Sequence, residues 1–566
     1  MLHRPIEAAL AAVIKEMGMG VDEIEIHLER PRDPVHGDIT CNIALILSGS
    51  LNRPSRDIAE EIAASLEIDR AGIASVEVAG PGFLNFRLSA VTAASILDEI
   101  VAKNKTFGRG STREGARVMV EFVSANPTGP LHLGHGRQAA LGDAIASLLE
   151  WTGWEVHREF YYNDAGTQID KLAESVRARY LGLFGREEEI PEGGYHGEYI
   201  NELAESLAED FGDQFVLDES KEAVEKIRSF SVRCLREEQD SDLDDFGVHF
   251  DEYYLESSLH DNGRVNSTLE ALKQTGFVYV HEGATWLKTT AFSDQKDRVM
   301  VRKNGLPTYF LPDVAYHMHK WTRGYERVIN VQGSDHHGTV DRVRSGLQAL
   351  GLPKGYPEYV LHQMVRVVRD GSEVKFSKRA GTSITLRELY TEVSTDVTRY
   401  FFQMRKPDAQ MVFDLDAALD YSDKNPMYKI QYAHARMHSI FAKAQVMPEE
   451  IESGSADLSL LTEDYERQLI NQLRDFPSVL TRAAENCAPH IVCEYLEQTA
   501  STANSWYHAG NPSRNPSLAV LVDDSKIRGA RLVLARSLQI VLQNGLAILG
   551  ITAPKRMTQE PANDGT

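Results

Sequence analysis

Residues 117–162 constrain the fold more than any other stretch. RVMVEFV (Arg117 to Val123) is a β-branched run of strand length. The Pro/Gly-bearing loop ANPTGPLHLGHG follows, then apolar residues recur at helical spacing from Arg137 to Trp151 and stop at Gly153. Glu155 to Tyr162 reads as a second strand. Strand, loop, helix and strand in this order form a βαβ unit, which implies a parallel sheet. A second strand, loop and helix lies far downstream, RVINV from Arg327, then QGSDHHG, then TVDRVRSGLQALG. Two such halves predict one doubly wound sheet split by a long insertion.

The remaining chain sorts around this pair. Residues 1 to about 88 alternate helical patterns (IEAALAAVIKEM; SRDIAEEIAASLE, with Ser55 as N-cap) with short strand-like runs, as a small α+β domain does. A helix near Val91 to Asn104 and the basic stretch KNKTFGRGSTREGAR read as a linker. From about Asp423 the pattern is helical to the end, apart from a polar tail after Met557. The first twenty residues are cut by Glu7, Lys15 and Glu16, so a first helix is expected there rather than a secretory signal, and no apolar run has membrane-spanning length. Four cysteines (Cys41, Cys234, Cys487, Cys493) form no CxxC pair, which argues against a zinc ribbon or a disulfide framework and for a reducing, cytoplasmic setting.

Charge has to be read locally. With 60 Lys plus Arg against 83 Asp plus Glu, the net charge of −23 taken whole argues against a polyanionic partner. Yet residues 166–250 hold 22 acidic and 9 basic residues, a net of −13, so one segment carries more than half of it and reads as a helical insertion facing solvent. In the tail, 424–448 hold four basic and no acidic residues, and 525–558 six basic and none acidic, as two basic stripes. A polyelectrolyte answers to such stripes rather than to the total.

The first loop, Ser124-Ala-Asn-Pro-Thr-Gly-Pro-Leu-His132-Leu-Gly-His135-Gly, joins a strand to a helix and presents free N–H groups at a positive helix end, which suits phosphate. His132 and His135, three apart, point the same way, and Gly134 and Gly136 remove side chains that would hold a nucleotide off. A metal pair is the rival reading, lacking HExxH or a third nearby ligand. After the strand YVLHQMVRVVRD, an Asp370-Gly371 turn and the returning strand SEVKF comes Lys375-Phe-Ser377-Lys378-Arg379-Ala-Gly381, three cations around a serine. Mobile lysines there can follow the charge on a leaving pyrophosphate. Together, each after a strand of one parallel sheet, the two loops form a specific signature.

HLGH and KFSKR resemble the HIGH and KMSKS signatures of class I aminoacyl-tRNA synthetases, and the surroundings resemble the arginyl-tRNA synthetase family over nearly the whole chain. GDITCNIALIL and GPGFLNFRL resemble its N-terminal domain, EFVSANPTGPLHLGHGR, YYNDAGTQI, FDEYYLESSL, YFLPDVAYH and GSDHHG its catalytic domain, and YAHAR and LAILGITAPKRM its helical domain. Here both Lys375 and Lys378 are present, where the family often lacks one.

The resemblance implies a tRNA-contacting α+β domain over 1–88, a linker over 89–115, a Rossmann-type catalytic domain over 116–422 with its insertion at about 166–300, and an all-α anticodon-binding bundle over 423–566. It implies that ATP with Mg2+ activates L-arginine as its adenylate and that the arginyl group passes to tRNA(Arg), in a monomer, with no zinc and no DNA or membrane partner. Activation is expected to need bound tRNA. Catalysis is assigned to His132, His135, Lys375 and Lys378, and ATP binding to Pro130, Gly134, Gly136, Gly333, Asp335 and Ser377.

A guanidinium is planar, permanently charged and best held by a fork of carboxylates with a ring against its face, so an arginine pocket needs acids. Glu256, Tyr309 and Asp313 match the family positions that hold the guanidinium, and Ser124 and Asn126 those at the α-amino end. Gln332, after strand RVINV, is expected to touch substrate. Asp313 and Asp335 also read as helix N-caps, Glu256 as a solvated acid, and Asn126 as a turn former. Lys429 and Arg436, seven apart and interleaved with Tyr428 and Tyr432, offer the cations and rings that unstacked RNA bases bind, although Tyr432 reads equally as core. A lysine ligase, a catalytically silent RNA-binding relative and a small-molecule nucleotidyltransferase compete. The acids argue against neutral amino acids and leave lysine as the serious competitor; the intact histidines and lysines argue against the silent relative, and the basic helical tail against the nucleotidyltransferase.

Overall fold

The computed structural model describes residues 3–18, 26–29, 31, 36–68, 72–111, 113–164, 166–292, 294–374 and 384–557. Five strands, β1 (Arg117–Glu121), β2 (Glu155–Tyr162), β3 (Glu252–Leu255), β4 (Arg327–Gly333) and β5 (Glu358–His362), form one sheet in the order β5–β4–β1–β2–β3. Every pairing is parallel. The chain runs outward from β1 through β2 to β3, then returns to the other side of β1 at β4. The strand order therefore reverses between β1 and β4, where an open α/β sheet leaves a crevice at its carboxyl ends. The histidine loop ANPTGPLHLGHG and the segment QGSDHHG both start there.

The helix Leu133–Trp151 packs behind the sheet and is buried on nearly all sides, which its Ala- and Leu-rich sequence permits. Its core is continuous with the C-terminal helices Pro426–Ala444, His490–Ala509 and Ser525–Ile548. The helix Phe310–Thr322 covers the opposite face with a second core. The N-terminal segment builds its own core on a four-stranded antiparallel sheet. Helices Thr167–Leu183, Glu198–Phe211 and Lys221–Asp245 form a further core within the insertion, and a three-stranded antiparallel sheet (Val278–His281, Ala284–Leu287, Arg298–Val301) follows them. Among the described residues no helix is long and apolar enough to cross a membrane.

Three expectations need correction. YVLHQMVRVVRD is not one strand of the parallel sheet. It breaks after His362, and Val365–Arg369 joins a separate small sheet with Ser372–Glu373 and Met411–Asp414. The break is held by side chain and main chain: Arg137 donates to the Gln363 carbonyl at 2.7 Å, and the Gln363 N–H donates to the Pro407 carbonyl at 3.0 Å. The second basic stripe is divided as well: Arg531 and Arg536 are buried, Arg531 paired with Glu466 and Arg536 bonded to Gln539, while Lys526, Lys555 and Arg556 remain exposed. Finally, the insertion does more than face solvent. Its buried Tyr199 donates to the Thr128 carbonyl at 2.9 Å, and Gln239 donates to the carbonyls of Asn126 and Gly129 at 3.1 and 2.8 Å, so it braces the first loop.

Candidate active site

The first helix begins at Leu133, four residues earlier than its apolar period indicated, so the histidines are part of its cap. His132 is the N-cap, and its Nδ1 accepts from the N–H of Gly134 at 3.0 Å and of His135 at 3.4 Å. His135 Nδ1 accepts in return from the His132 N–H at 3.4 Å. The rings stack with centroids 3.7 Å apart. With both Nδ1 atoms accepting, each neutral ring carries its proton on Nε2, and the pair presents two N–H donors beside a positive helix end. Desolvation in the cleft lowers both pKa values, His135 the further, with the nearby His132, His362 and His336 adding to the effect.

The glycines divide. A Cβ on Gly134 would lie 2.8 Å from the His132 ring, so this glycine keeps the capping imidazole in place. Gly136 is buried, and its Cβ would meet Leu386 at 2.6 Å and Phe402 at 3.1 Å. Its smallness serves packing against these two side chains. Pro130 is half-buried within the same loop.

Lys375, Ser377 and Lys378 lie outside the described residues. Where the chain is described again, Thr385 pairs with His132 across an isolated antiparallel bridge, and the Leu386 N–H donates to the Leu131 carbonyl at 2.7 Å. Thr385 also caps the helix Leu386–Val393 in a capping box with Glu388. Thr385 and Leu386 are thus anchored on the histidine loop.

At the end of β4, a Cβ on Gly333 would collide with Asp335 Oδ1, so the glycine lets this carboxylate fold back over the main chain. Asp335 caps no helix; it sits in a single turn, Ser334–His336, with a 68% exposed side chain, and its charge acts on His132 and His362. Gln332 has a buried Oε1 without a hydrogen-bond partner, at the carboxyl end of β4.

On the other side of the switch point stand acids. Glu256 begins a short helix after β3 and accepts from the Tyr161 hydroxyl at 2.9 Å; burial raises its pKa. Asp313 is in the first turn of Phe310–Thr322 but is not its cap, which is Tyr309. Burial, with Glu256 and Glu121 nearby, pushes the Asp313 carboxyl up to about 7 against the pull of Arg342. Tyr309 itself is 59% exposed, and the rings placed among these acids are Tyr161, Tyr316 and Tyr359.

Three residues missing from the sequence reading organise this pocket. Glu121, at the end of β1, is buried and paired with the fully buried Lys320, which also donates to Asn330 Oδ1 at 3.1 Å. Glu121 accepts from Ser124 Oγ at 2.9 Å, and Ser124 Oγ accepts from the Tyr161 N–H at 3.2 Å. These bonds hold Val123 and Ser124 at φ of 66° and 45°, a left-handed pair that a β-branched valine adopts only when its surroundings compel it. Asn126 donates to Gln168 at 2.7 Å while its carbonyl accepts from Thr128 at 2.8 Å, so it is a turn former with its side chain tied to the insertion. An acid interrupting the apolar run RVMVEFV was the one available signal for Glu121.

His157, Glu159 and Glu252 converge closely enough to suggest a metal site. The Arg323 guanidinium fills the space among them, bonding all three, so they form an ion-pair cluster. In the C-terminal bundle, Lys429 donates to Ser501 at 2.6 Å and Arg436 to Asn504 at 2.7 Å, both on the helix His490–Ala509. Arg436 lies over the rings of Tyr432 and Tyr507, at 4.6 and 4.4 Å from their centroids, and Tyr428 stacks on Tyr432. Tyr428 is core, whereas Tyr432 is half-buried.

Comparison with known proteins agrees with this layout. Residues 96–418 match the family "tRNA synthetases class I (R), catalytic domain", 4–88 match "Arginyl tRNA synthetase N terminal domain", and 430–557 match "DALR anticodon binding domain". The chain is 47% identical to an arginine–tRNA ligase of Burkholderia thailandensis, over 94% of each chain. Among solved structures it is similar to a putative arginyl-tRNA synthetase of Campylobacter jejuni, with TM-score 0.76 and 30% identity over 83% of this chain and 100% of that one. It is also similar to the Thermus thermophilus arginyl-tRNA synthetase, with TM-score 0.74 and 25% identity over 98% and 100%. A doubly wound sheet, a histidine-capped helix at its switch point and near-full-length likeness to these proteins lead to one statement: the chain belongs to the arginyl-tRNA synthetase family of class I synthetases.

Proposed function

We propose that the crevice between β1 and β4 binds ATP on its histidine side and arginine on its acid side. The chain charges tRNA with arginine at the expense of ATP, through an arginyl-adenylate, releasing AMP and pyrophosphate. In the first step the arginine carboxylate attacks the α-phosphorus. His132 and His135, each presenting an Nε2–H, stabilise the charge that develops on the phosphate oxygens. Lys375 and Lys378, with Ser377, follow the departing pyrophosphate. Gly134, Pro130, Gly333 and Asp335 shape the nucleotide seat, with Asp335 toward the ribose. MgATP is the substrate form, with the ion on the phosphates and no protein cage.

The observation that carries the amino-acid assignment is the convergence of Glu256 and Asp313 with Glu121, under the rings of Tyr161, Tyr316 and Tyr359. Glu121 is paired with Lys320 and Asp313 feels Arg342, and Glu256 with Asp313 are the acids read as holding the guanidinium. Ser124 and Asn126 serve the α-amino end, and Gln332 touches the substrate. Lys429, Tyr432 and Arg436 meet the tRNA on the anticodon side. A cytoplasmic monomer with no DNA, membrane or zinc partner completes the reading.

Pyrophosphate–ATP exchange with each of the twenty amino acids, with and without total tRNA, tests it. Exchange is expected with arginine alone, and only when tRNA is present. Exchange driven by lysine would overturn the pocket assignment. Silence under every condition, from folded protein that still binds tRNA, would indicate a relative that has lost catalysis.

A further inference from the structure

A third imidazole stands behind the capping pair. His362 closes β5 in register with Gly333 of β4 and is 1% exposed. It feels the charges of His132 and Asp335 and acts on His135, so it borders the same cleft. Its main chain is fixed, because the Gln363 carbonyl accepts from Arg137 at 2.7 Å. His362 Nδ1 lies 3.2 Å from that carbonyl. A carbonyl oxygen can only accept, so Nδ1 carries the proton and Nε2 presents a bare lone pair. Burial keeps the ring neutral, with its pKa held down to about 4. Nε2 is buried and has no hydrogen-bond partner. Native interiors match such an acceptor with a protein group, an ordered water or a bound ligand.

The polarity is opposite to that of His132 and His135. Their Nε2 atoms donate, which suits phosphate, whereas a phosphate oxygen set against His362 Nε2 would place lone pair against lone pair. The nucleoside has the protons this acceptor lacks, on the ribose hydroxyls and the adenine amine. We propose that His362 is a nucleoside-recognising residue of the reaction, its Nε2 accepting a hydrogen bond from the ribose or adenine of ATP while His132 and His135 donate to the phosphates. This inference rests on the ATP seat proposed above.

The test is arginine charging of tRNA with ATP, 2′-deoxy-ATP, 3′-deoxy-ATP and purine riboside triphosphate, which lacks the 6-amine. The wild-type chain is compared with His362→Ala, His362→Gln and His135→Ala. His362→Ala is expected to raise the KM for ATP roughly tenfold, leave the KM for arginine unchanged, and erase the wild-type preference for ATP over one analogue. That analogue identifies the donor. His362→Gln, with an amide oxygen at similar reach, is expected to recover part of the preference. An unchanged KM for ATP in His362→Ala overturns the inference, and so does an equal loss with every nucleotide that Gln does not restore. His135→Ala separates the two failures. If it cripples charging while His362→Ala leaves nucleotide preference intact, only the role of His362 falls; if it leaves charging intact, the ATP seat falls and the inference with it.

Discussion

Asp313 sets the pH dependence of the proposed arginine pocket. Its carboxyl, pushed up to about 7 by burial, is close to half-protonated at neutral pH. Only the carboxylate pairs with a guanidinium, so binding expels a proton and arginine affinity increases with pH. The KM for arginine is therefore expected to fall as pH rises through about 7, by about tenfold per unit on the acid side. Asp313→Asn should raise the KM and flatten that slope. Steady-state charging between pH 6 and 8.5 checks it, and a slope surviving in the variant would assign the titration to another group. At this scale the sequence exposed the acids that match a known pattern, Glu256 and Asp313. It hid Glu121, Lys320 and Tyr161, whose roles exist only because β1, β2 and the helix Phe310–Thr322 lie side by side. Tyr309, four residues from Asp313, was legible by spacing but turns outward, because it caps the helix with its main chain instead of joining the buried face.

The helix Leu133–Trp151 shows how an element joins site and core. Its first turn carries the imidazole cap, and the next turn packs against Leu386 and Phe402 through Gly136. Leu386 in turn bonds the loop at Leu131 and begins the helix that follows the lysine loop. Gly136→Ala should overpack this junction, lowering stability by about 1–3 kcal/mol and slowing adenylate formation by displacing the anchor at Thr385. Thermal unfolding beside exchange kinetics reads both effects; a variant with wild-type melting and wild-type exchange would show that the junction has slack. The helix and its flanking strands were legible because their apolar periods differ cleanly. The start of the helix was not, because a Gly-rich turn carries no apolar period and histidine is not a residue whose presence signals an N-cap. The break at Gln363 was equally hidden, since YVLHQMVRVVRD reads as continuous strand until Arg137 and Pro407 pull its middle away.

At the scale of the molecule, one buried side chain adds a polar tie to the apolar core that the catalytic and C-terminal parts share. Arg399 is fully buried, pairs with Asp143 of the histidine-bearing helix, and donates to the carbonyls of Leu549 at 3.2 Å and Phe246 at 2.9 Å. Gly550, at φ of 67°, has no room for a Cβ beside that guanidinium. Arg399→Met would leave Asp143 with Arg158 at 3.7 Å as its remaining cation and would strip the Leu549 and Phe246 carbonyls of their donor, and should destabilise the chain by about 1–3 kcal/mol. Calorimetry is expected to show the C-terminal bundle melting apart from the catalytic core, and a single unshifted transition would refute the coupling. The sequence by itself determined the doubly wound α/β class, the two loops that identify the chemistry, and the helical tail. Those follow from period, turn residues and spacing, which are local properties of the chain. The tertiary structure alone decided which acids share a pocket, that Tyr199 and Gln239 of the acidic insertion hold the first loop, and that Arg531 and Arg536 are core rather than surface. Burial and pairing are made by residues distant in sequence, and a local pattern cannot tell a cation in water from one that has found its carboxylate in the interior.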